Sequence, residues 1–372
     1  MKGSLGQKAN GILGKFLPDL SNWSGALASL TGGGSAVGLS IGSSSVKLAE
    51  LKRSGKAWKL LNWAVNPVLD ESIVNREIHN AVAVTESLRT LLSGVKLQNK
   101  SVCTALSGAT VTLRRMMVEV ANPKEIQEQV FWEAEQYVNE AVADVVMDFH
   151  QISRSKDGKT DVILVAAKRS VLDSYTACVE DAGLKAKVVD LDFLALQTVF
   201  EANYQEKPGE AVALVDIGSS SLKLVVVFGG VPVYTKDAAI GGRNLTLEIQ
   251  KQLESSFADA EALKTEGPIP QPVSELMHAQ SGIFAQEIKR AIDFHGASSS
   301  SGRVTSLFIT GGSSRIPGLA QVLEAETQLP VQELNPFNAI QVDPAVYSPE
   351  YLAKIAPLAA IPVGLAIRAG TP

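Results

Sequence analysis

Two stretches of this chain repeat one another. Residues 37–51 read VGLSIGSSSVKLAEL and residues 213–227 read ALVDIGSSSLKLVVV. The core Ile-Gly-Ser-Ser-Ser-apolar-Lys-Leu runs from Ile41 to Leu48 and again from Ile217 to Leu224, with Val46 exchanged for Leu222. So close a repeat predicts two similar domains, each opening with the same β-hairpin. In each copy an apolar strand ends at Gly42 or Gly218, where the missing Cβ lets backbone approach a ligand. The serines that follow (Ser43, Ser44 and Ser45; Ser219, Ser220 and Ser221) supply N–H and hydroxyl donors in a tight turn, which suits phosphate oxygens. A second apolar strand then leaves the turn. Two such loops facing each other would clamp a nucleotide's phosphates.

The copies differ at one place. Asp216 precedes Ile217, whereas Ser40 holds the equivalent position in the first copy. A carboxylate there suits a Mg²⁺ ion held through its waters, so Asp216 is the expected metal anchor and the site is asymmetric. Lys47 and Lys223 each lie two residues past the serines, and Lys47 is the favoured phosphate contact. A third element, SLFITGGSSRIPGL at 306–319, runs an apolar strand into Gly311-Gly312 and then into a helix after Pro317. A glycine pair there lets a base or ribose lie against backbone, with Ser313 and Arg315 beside it.

The remaining sequence agrees with a two-domain α/β chain. At 372 residues it is long for one domain, and apolar runs alternate with helical patterns from Val37 onward. Expected strands are 37–41, 46–51, 102–106, 162–166, 188–191, 213–217, 222–228 and 306–310. Expected helices are 78–92, 124–138, 169–182, 192–204, 244–254, 274–294 and 318–327. A net charge of -5 without a Lys/Arg cluster argues against nucleic acid. Cys103 and Cys178 have no metal spacing and read as buried thiols of a reducing compartment. The apolar run Ile355–Ile367 contains Pro357 and Pro362 and is too short to span a membrane. No secretory signal pattern precedes the first domain, so a cytoplasmic location is expected. Residues 1–35 read as a flexible tail; Leu13, Phe16, Leu17, Leu20, Trp23, Leu27 and Leu30 recur in it at helical spacing, a candidate docking helix.

The two serine turns and the Gly-Gly turn, in this order, resemble the phosphate-1, phosphate-2 and adenosine motifs of the actin, sugar kinase and heat-shock-protein ATPase superfamily. Further segments resemble its FtsA-like branch, and within it the PilM type of the type IV pilus machine: FWEAEQYV (131–138), DVILVAAKRSVLDSY (161–175), VVDLDFLALQ (188–197), AIGGRNLTLEIQKQL (239–253), AQEIKRAIDFHG (285–296), LNPF (334–337) and APLAAIPVGLAIR (356–368). The resemblance spans nearly all of 37–368 but not the tail.

It implies a bilobed actin-like fold with duplicated core domains: domain I over 36–189 with an FtsA-type inserted subdomain at about 101–188, and domain II over 190–372 with a subdomain at about 243–303. It implies ATP with Mg²⁺, with Gly241 and Gly242 beside the nucleotide and Glu287 and Arg290, on one helical face, near ribose and adenine. Asp192 falls where related ATPases place a water-positioning group, yet Ser40 argues for weak or absent hydrolysis. The implied partners are the N-terminal cytoplasmic peptide of a PilN-like inner-membrane protein, held in a groove beside the inserted subdomain, and the pilus motor ATPases. Phe131, Trp132 and Tyr137 are candidates near that groove. A homo-oligomer, a membrane-associated filament and a small-metabolite kinase of the same superfamily stay open as alternatives.

Overall fold

The computed structural model describes residues 34–370, apart from 56, 121, 135, 139–140, 156, 266–267 and 299–301. The expected docking helix in the tail lies outside the described residues. The chain divides into two compact units, Met1–Asp192 with Leu365–Pro372, and Phe193–Gly364.

In the first unit, β1 (Ser35–Ile41), β2 (Ser45–Ser54) and β3 (Ala57–Pro67) form an antiparallel meander. A short hairpin, β4 (Ile73–Val74) and β5 (Glu77–Ile78), leads to helix α1 (Ala81–Ser93). The α1 start is fixed by Asn80, whose Oδ1 accepts the Ala83 N–H at 3.0 Å. Next, β6 (Ser101–Leu106) returns parallel to β1. Then comes an insertion: β7 (Val111–Val118), α2 (Pro123–Ala134), β8 (Val145–Arg154) and β9 (Thr160–Lys168). Its antiparallel sheet has the order β7-β9-β8, and Met116, Val118, Ile126, Val130, Val145 and Leu164 form a small core of its own. Helix α3 (Arg169–Asp181) and β10 (Lys185–Leu191), parallel to β6, complete the unit. Among the strands of this unit the order in the main sheet is β10-β6-β1-β2-β3.

The second unit begins within α4 (Asp192–Asn203) and repeats this plan. Its strands are β11 (Ala211–Ile217), β12 (Leu222–Phe228), β13 (Val231–Ala238), β14 (Val304–Thr310) and β15 (Val331–Glu333). β11, β12 and β13 form the meander, while β14 and β15 join in parallel, giving β15-β14-β11-β12-β13. Order and polarity match the first sheet strand for strand, so the sequence repeat is a structural one. Between β13 and β14 come α5 (Gly242–Leu253), α6 (Phe257–Thr265) and α7 (Gln271–Ser298); α8 (Leu319–Thr327) follows β14. β11 is buried along its whole length, which explains its uninterrupted apolar run.

Two boundaries differ from expectation. The strands at 101–106 and 185–191, expected inside the insertion, belong to the main sheet, so the inserted sheet covers only 111–168. The last helix, α9 (Pro349–Gly370), ends in the first unit. There Arg368 pairs with buried Asp190, and Gly370 packs on Trp58 and Ala36 so closely that a Cβ would overlap both. α9 is also longer than its apolar run suggested. By length and composition it passes as a membrane span, but 72% of that window is buried, which marks a core helix. Gly364 lets it lie directly on the Ala195 backbone of α4.

Candidate functional site

The two repeated hairpins share register as well as sequence. In the first, Ile41 faces Val46 and Ser40 faces Lys47; in the second, Ile217 faces Leu222 and Asp216 faces Lys223. Their turns close alike. The Gly42 N–H donates to the Ser45 carbonyl at 3.1 Å, and the Gly218 N–H to the Ser221 carbonyl at 2.8 Å. The first turn is braced by Val68, whose N–H donates to the Ser44 carbonyl at 3.0 Å. The Lys47 Nζ lies 3.8 Å from where a Gly42 Cβ would stand, so its ammonium reaches the first turn.

In the second unit three glycine turns meet. The Gly242 N–H donates to the Gly218 carbonyl at 3.0 Å, the Arg243 N–H to the Ser219 carbonyl at 2.8 Å, and the Ser313 hydroxyl to the Gly218 carbonyl at 3.0 Å. Each contact needs the absence of a side chain. A Cβ on Gly241 would overlap the Ser219–Ser220 peptide, one on Gly242 the Ser313 hydroxyl, and one on Gly311 the backbone of Ile217. Gly241 also starts α5: its N–H donates to the Asn244 Oδ1 at 2.9 Å. The expected residues Gly218, Ser219, Gly241, Gly242, Gly311 and Ser313 are therefore brought together from three separate stretches of chain, with Gly312 and Ser220 next to them. Backbone N–H groups at a helix start add favourable potential for an anion.

One pair at this site escaped sequence reading. On α6, Glu261 and Lys264 stand one turn apart, and the Lys264 Nζ donates to the Gly242 carbonyl at 3.3 Å, to the Thr246 hydroxyl at 2.9 Å and to Glu261 at 2.7 Å. Its side chain is only 11% exposed. The signal available was the Glu-x-x-Lys spacing, which places both residues on one helical face; no apolar pattern marked α6 as a helix.

Other expected residues lie elsewhere. Glu287 and Arg290 do share a face of α7, but Glu287 pairs with Lys236 of β13 at 3.4 Å and with Arg290 at 3.9 Å, and Arg290 is largely exposed. Arg315 donates to the Lys354 carbonyl of α9 at 3.3 Å. Asp192 is buried in the first turn of α4, where it attracts Arg76. Burial holds the Arg76 guanidinium below its ordinary value, and the Asp192 charge opposes that shift. The Asp192 charge is thus directed at a cation of its own unit. Asp216, the expected metal anchor, pairs through its Oδ2 with Lys223 at 3.4 Å. On the insertion, Phe131 packs edge-on to Phe149 as part of the small core, Trp132 is 66% exposed, and Tyr137 carries the Arg114 guanidinium 4.8 Å above its ring.

Comparison with known proteins follows the same lines. The family described as "Type IV pilus assembly protein PilM" matches residues 38–370. The solved PilM–PilN type IV pilus biogenesis complex is similar at 28% identity, covering 91% of this chain and 99% of that chain with a TM-score of 0.82. The ethanolamine utilization protein EutJ of Carboxydothermus hydrogenoformans shares the fold, with a TM-score of 0.56 at 14% identity over 91% of this chain and 90% of that one. Cell division protein FtsA of Bacillus subtilis (strain 168) is 30% identical over 101 residues; the match spans 27% of this chain and 22% of that protein. The mixed α/β architecture with its duplicated sheet is thus the actin-like fold.

Proposed function

As the chain belongs to the PilM family of type IV pilus assembly proteins, we propose that it is an ATP-binding scaffold of the pilus inner-membrane assembly complex, on its cytoplasmic side. In this reading it holds the N-terminal peptide of a PilN-like inner-membrane protein and links that protein to the motor. The observation that carries the partner is the likeness, along 91% of the chain, to a protein solved in complex with PilN. The groove beside the insertion is the expected contact region, and Trp132 on α2 is the insertion's most exposed aromatic side chain among the described residues. Exposed aromatic anchors of this kind carry a large share of binding energy in peptide recognition.

The nucleotide reading is supported by the three glycine turns of the second unit. Bound ATP would supply phosphate oxygens to the N–H and hydroxyl donors of Ser219 and Ser220, with Gly218 leaving room for their approach. Gly311, Gly312 and Ser313, with Lys264 beside Gly242, would take the nucleoside. Gly42, Ser43, Ser44, Ser45 and Lys47 offer the same donor chemistry in the first unit. Asp216 pairs with Lys223 and Ser40 stands at the equivalent place in the first hairpin, which favours holding ATP over cleaving it.

Pull-down of the full chain by a peptide from the N-terminus of a PilN-type protein tests the partner. Capture is expected, and Trp132→Ala should weaken it about tenfold with an unchanged melting temperature. Failure of the wild-type chain to bind any such peptide would sink the scaffold reading.

A further inference from the structure

The hairpin joining β2 to β3 carries a cluster of cations that the sequence reading passed over. Lys52, Arg53, Lys56 and Lys59 fall within eight residues that contain no acid, in a chain whose net charge is -5. Lys56 lies outside the described residues; Lys52, Arg53 and Lys59 are all exposed. Strand register sets Lys52 directly opposite Lys59 and Arg53 opposite Trp58, with the Arg53 guanidinium 5.7 Å from the centre of the Trp58 ring. Like charges facing each other across a strand pair work against folding, so stability of the hairpin does not account for the two lysines. The rest of the sheet adds to the cluster. β1, β6 and β10 run parallel and begin at the same end of the sheet as the hairpin tip: Ser35 is opposite Lys52, and Lys185 is opposite Ser101. Lys100 and Lys185, both exposed, stand at the starts of β6 and β10, where the Lys185 N–H donates to the Lys100 carbonyl at 2.8 Å. Lys96, also exposed, accepts from Asn62 of β3 through its carbonyl at 3.2 Å. At the strand spacing of a sheet these cations spread over about 19 Å from β3 to β10. Glu50, on β2 inside this end, is fully buried and taken up by Ser35, Asn62 and the Gln98 N–H. Glu180 and Asp181, exposed at the close of α3, stand at its rim.

We infer that this end of the first unit, together with the tail that leaves from it, docks on an anionic phospholipid surface. A headgroup layer is a plane of negative charge, and exposed cations spread across one end of a sheet can meet it together. The tail decides for lipid over nucleic acid. It joins β1 at Ser35, directly opposite Lys52. By sequence, residues 1–33 carry Lys2, Lys8 and Lys15 against Asp19, and Leu13, Phe16, Leu17, Leu20 and Trp23 at helical spacing. An apolar stripe flanked by lysines suits the boundary between headgroups and acyl chains; a phosphate backbone offers it nothing to bury in. The first phosphate turn follows β1 at its other end, about 20 Å away, and the insertion leaves β6 from that far end as well. Docking here therefore leaves both accessible. The inference goes beyond the scaffold reading, because the contact needs neither peptide nor nucleotide.

Flotation of the full chain with vesicles tests it, once with phosphatidylcholine alone and once with an equal share of phosphatidylglycerol, at about 0.1 M NaCl. The chain should float with the anionic vesicles and stay behind with the neutral ones. Raising NaCl to about 1 M should weaken binding about tenfold, because screening then acts within about 3 Å. Each cation beside such a surface strengthens binding about fivefold, so Lys52→Gln with Arg53→Gln and Lys59→Gln should weaken it about tenfold or more at an unchanged melting temperature. Phe16→Ser with Leu20→Ser should weaken it as well, and full binding by that variant overturns the part given to the tail. Equal flotation with both kinds of vesicle, or none with either, overturns the inference, and neither arm needs a variant to fold. Full binding by the triple variant overturns it by moving the contact off this end of the sheet. Displacement from anionic vesicles by duplex DNA at equal phosphate concentration assigns the cations to nucleic acid and overturns it too. Capture by a PilN-type peptide is a separate measurement, so the scaffold reading stands or falls independently.

Discussion

Single residues decide whether the three turns of the second unit can meet. Gly311 has a φ of 91°, a region that side-chain-bearing residues rarely adopt, and its Cα faces the Ile217 backbone and Asp216. Gly311→Ala adds both strain and overlap, so it should destabilise the chain by about 2–4 kcal/mol in urea unfolding and abolish ATP binding in calorimetry. Cys103 makes a second prediction at this scale. Burial pushes its thiol up from 9.0 to about 12, so the unfolded chain ionises first. The stability it contributes is complete below pH 9.0 and is lost as pH rises towards 12. Denaturation curves across that range should show an alkaline decline that Cys103→Ala reduces. The glycines were readable in the sequence because their reason is local. Lys264 was not, because the carbonyl it caps, Gly242, is brought near by the return of α6 alongside α5.

Elements were legible where burial is two-sided and hidden where it is not. β11 and β12 are apolar but for Asp216 and Lys223 and stood out as strands. β3, β8 and β13 escaped notice: they alternate or mix polar residues because one side is only half-covered. α9 was recognised only in part. Its prolines suggested interruption, yet the helix runs through both, and outside groups bond its carbonyls near the first, Arg315 at Lys354 and the Gly311 N–H at Pro357 at 2.9 Å. The insertion was found through resemblance, but its bounds were drawn too wide, because β6 and β10 flank it in sequence and belong to another sheet.

At the scale of the whole molecule, the chain holds two repeats of one plan, each with its own buried core. α9 ties the end of the chain to the first unit through the pair Arg368–Asp190, whose side chains are 10% and 1% exposed. Removing one partner of such a pair leaves a buried charge alone. Arg368→Met should therefore destabilise the first unit by about 3–5 kcal/mol. In calorimetric unfolding the loss should appear as a downshift of one transition with the other in place; equal movement of all unfolding would contradict two separate cores.

The sequence by itself determined the duplication, the phosphate-type turns and the order of motifs along the chain, because a turn's backbone conformation and donor chemistry reside in a few adjacent residues. It also determined the asymmetry between Ser40 and Asp216. What that asymmetry means was decided only by tertiary structure. Strand register sets Lys223 against Asp216, and the Gly311 turn closes over the same carboxylate. A contact made across strands and between distant loops depends on register and packing, and neither is written in any one stretch of sequence.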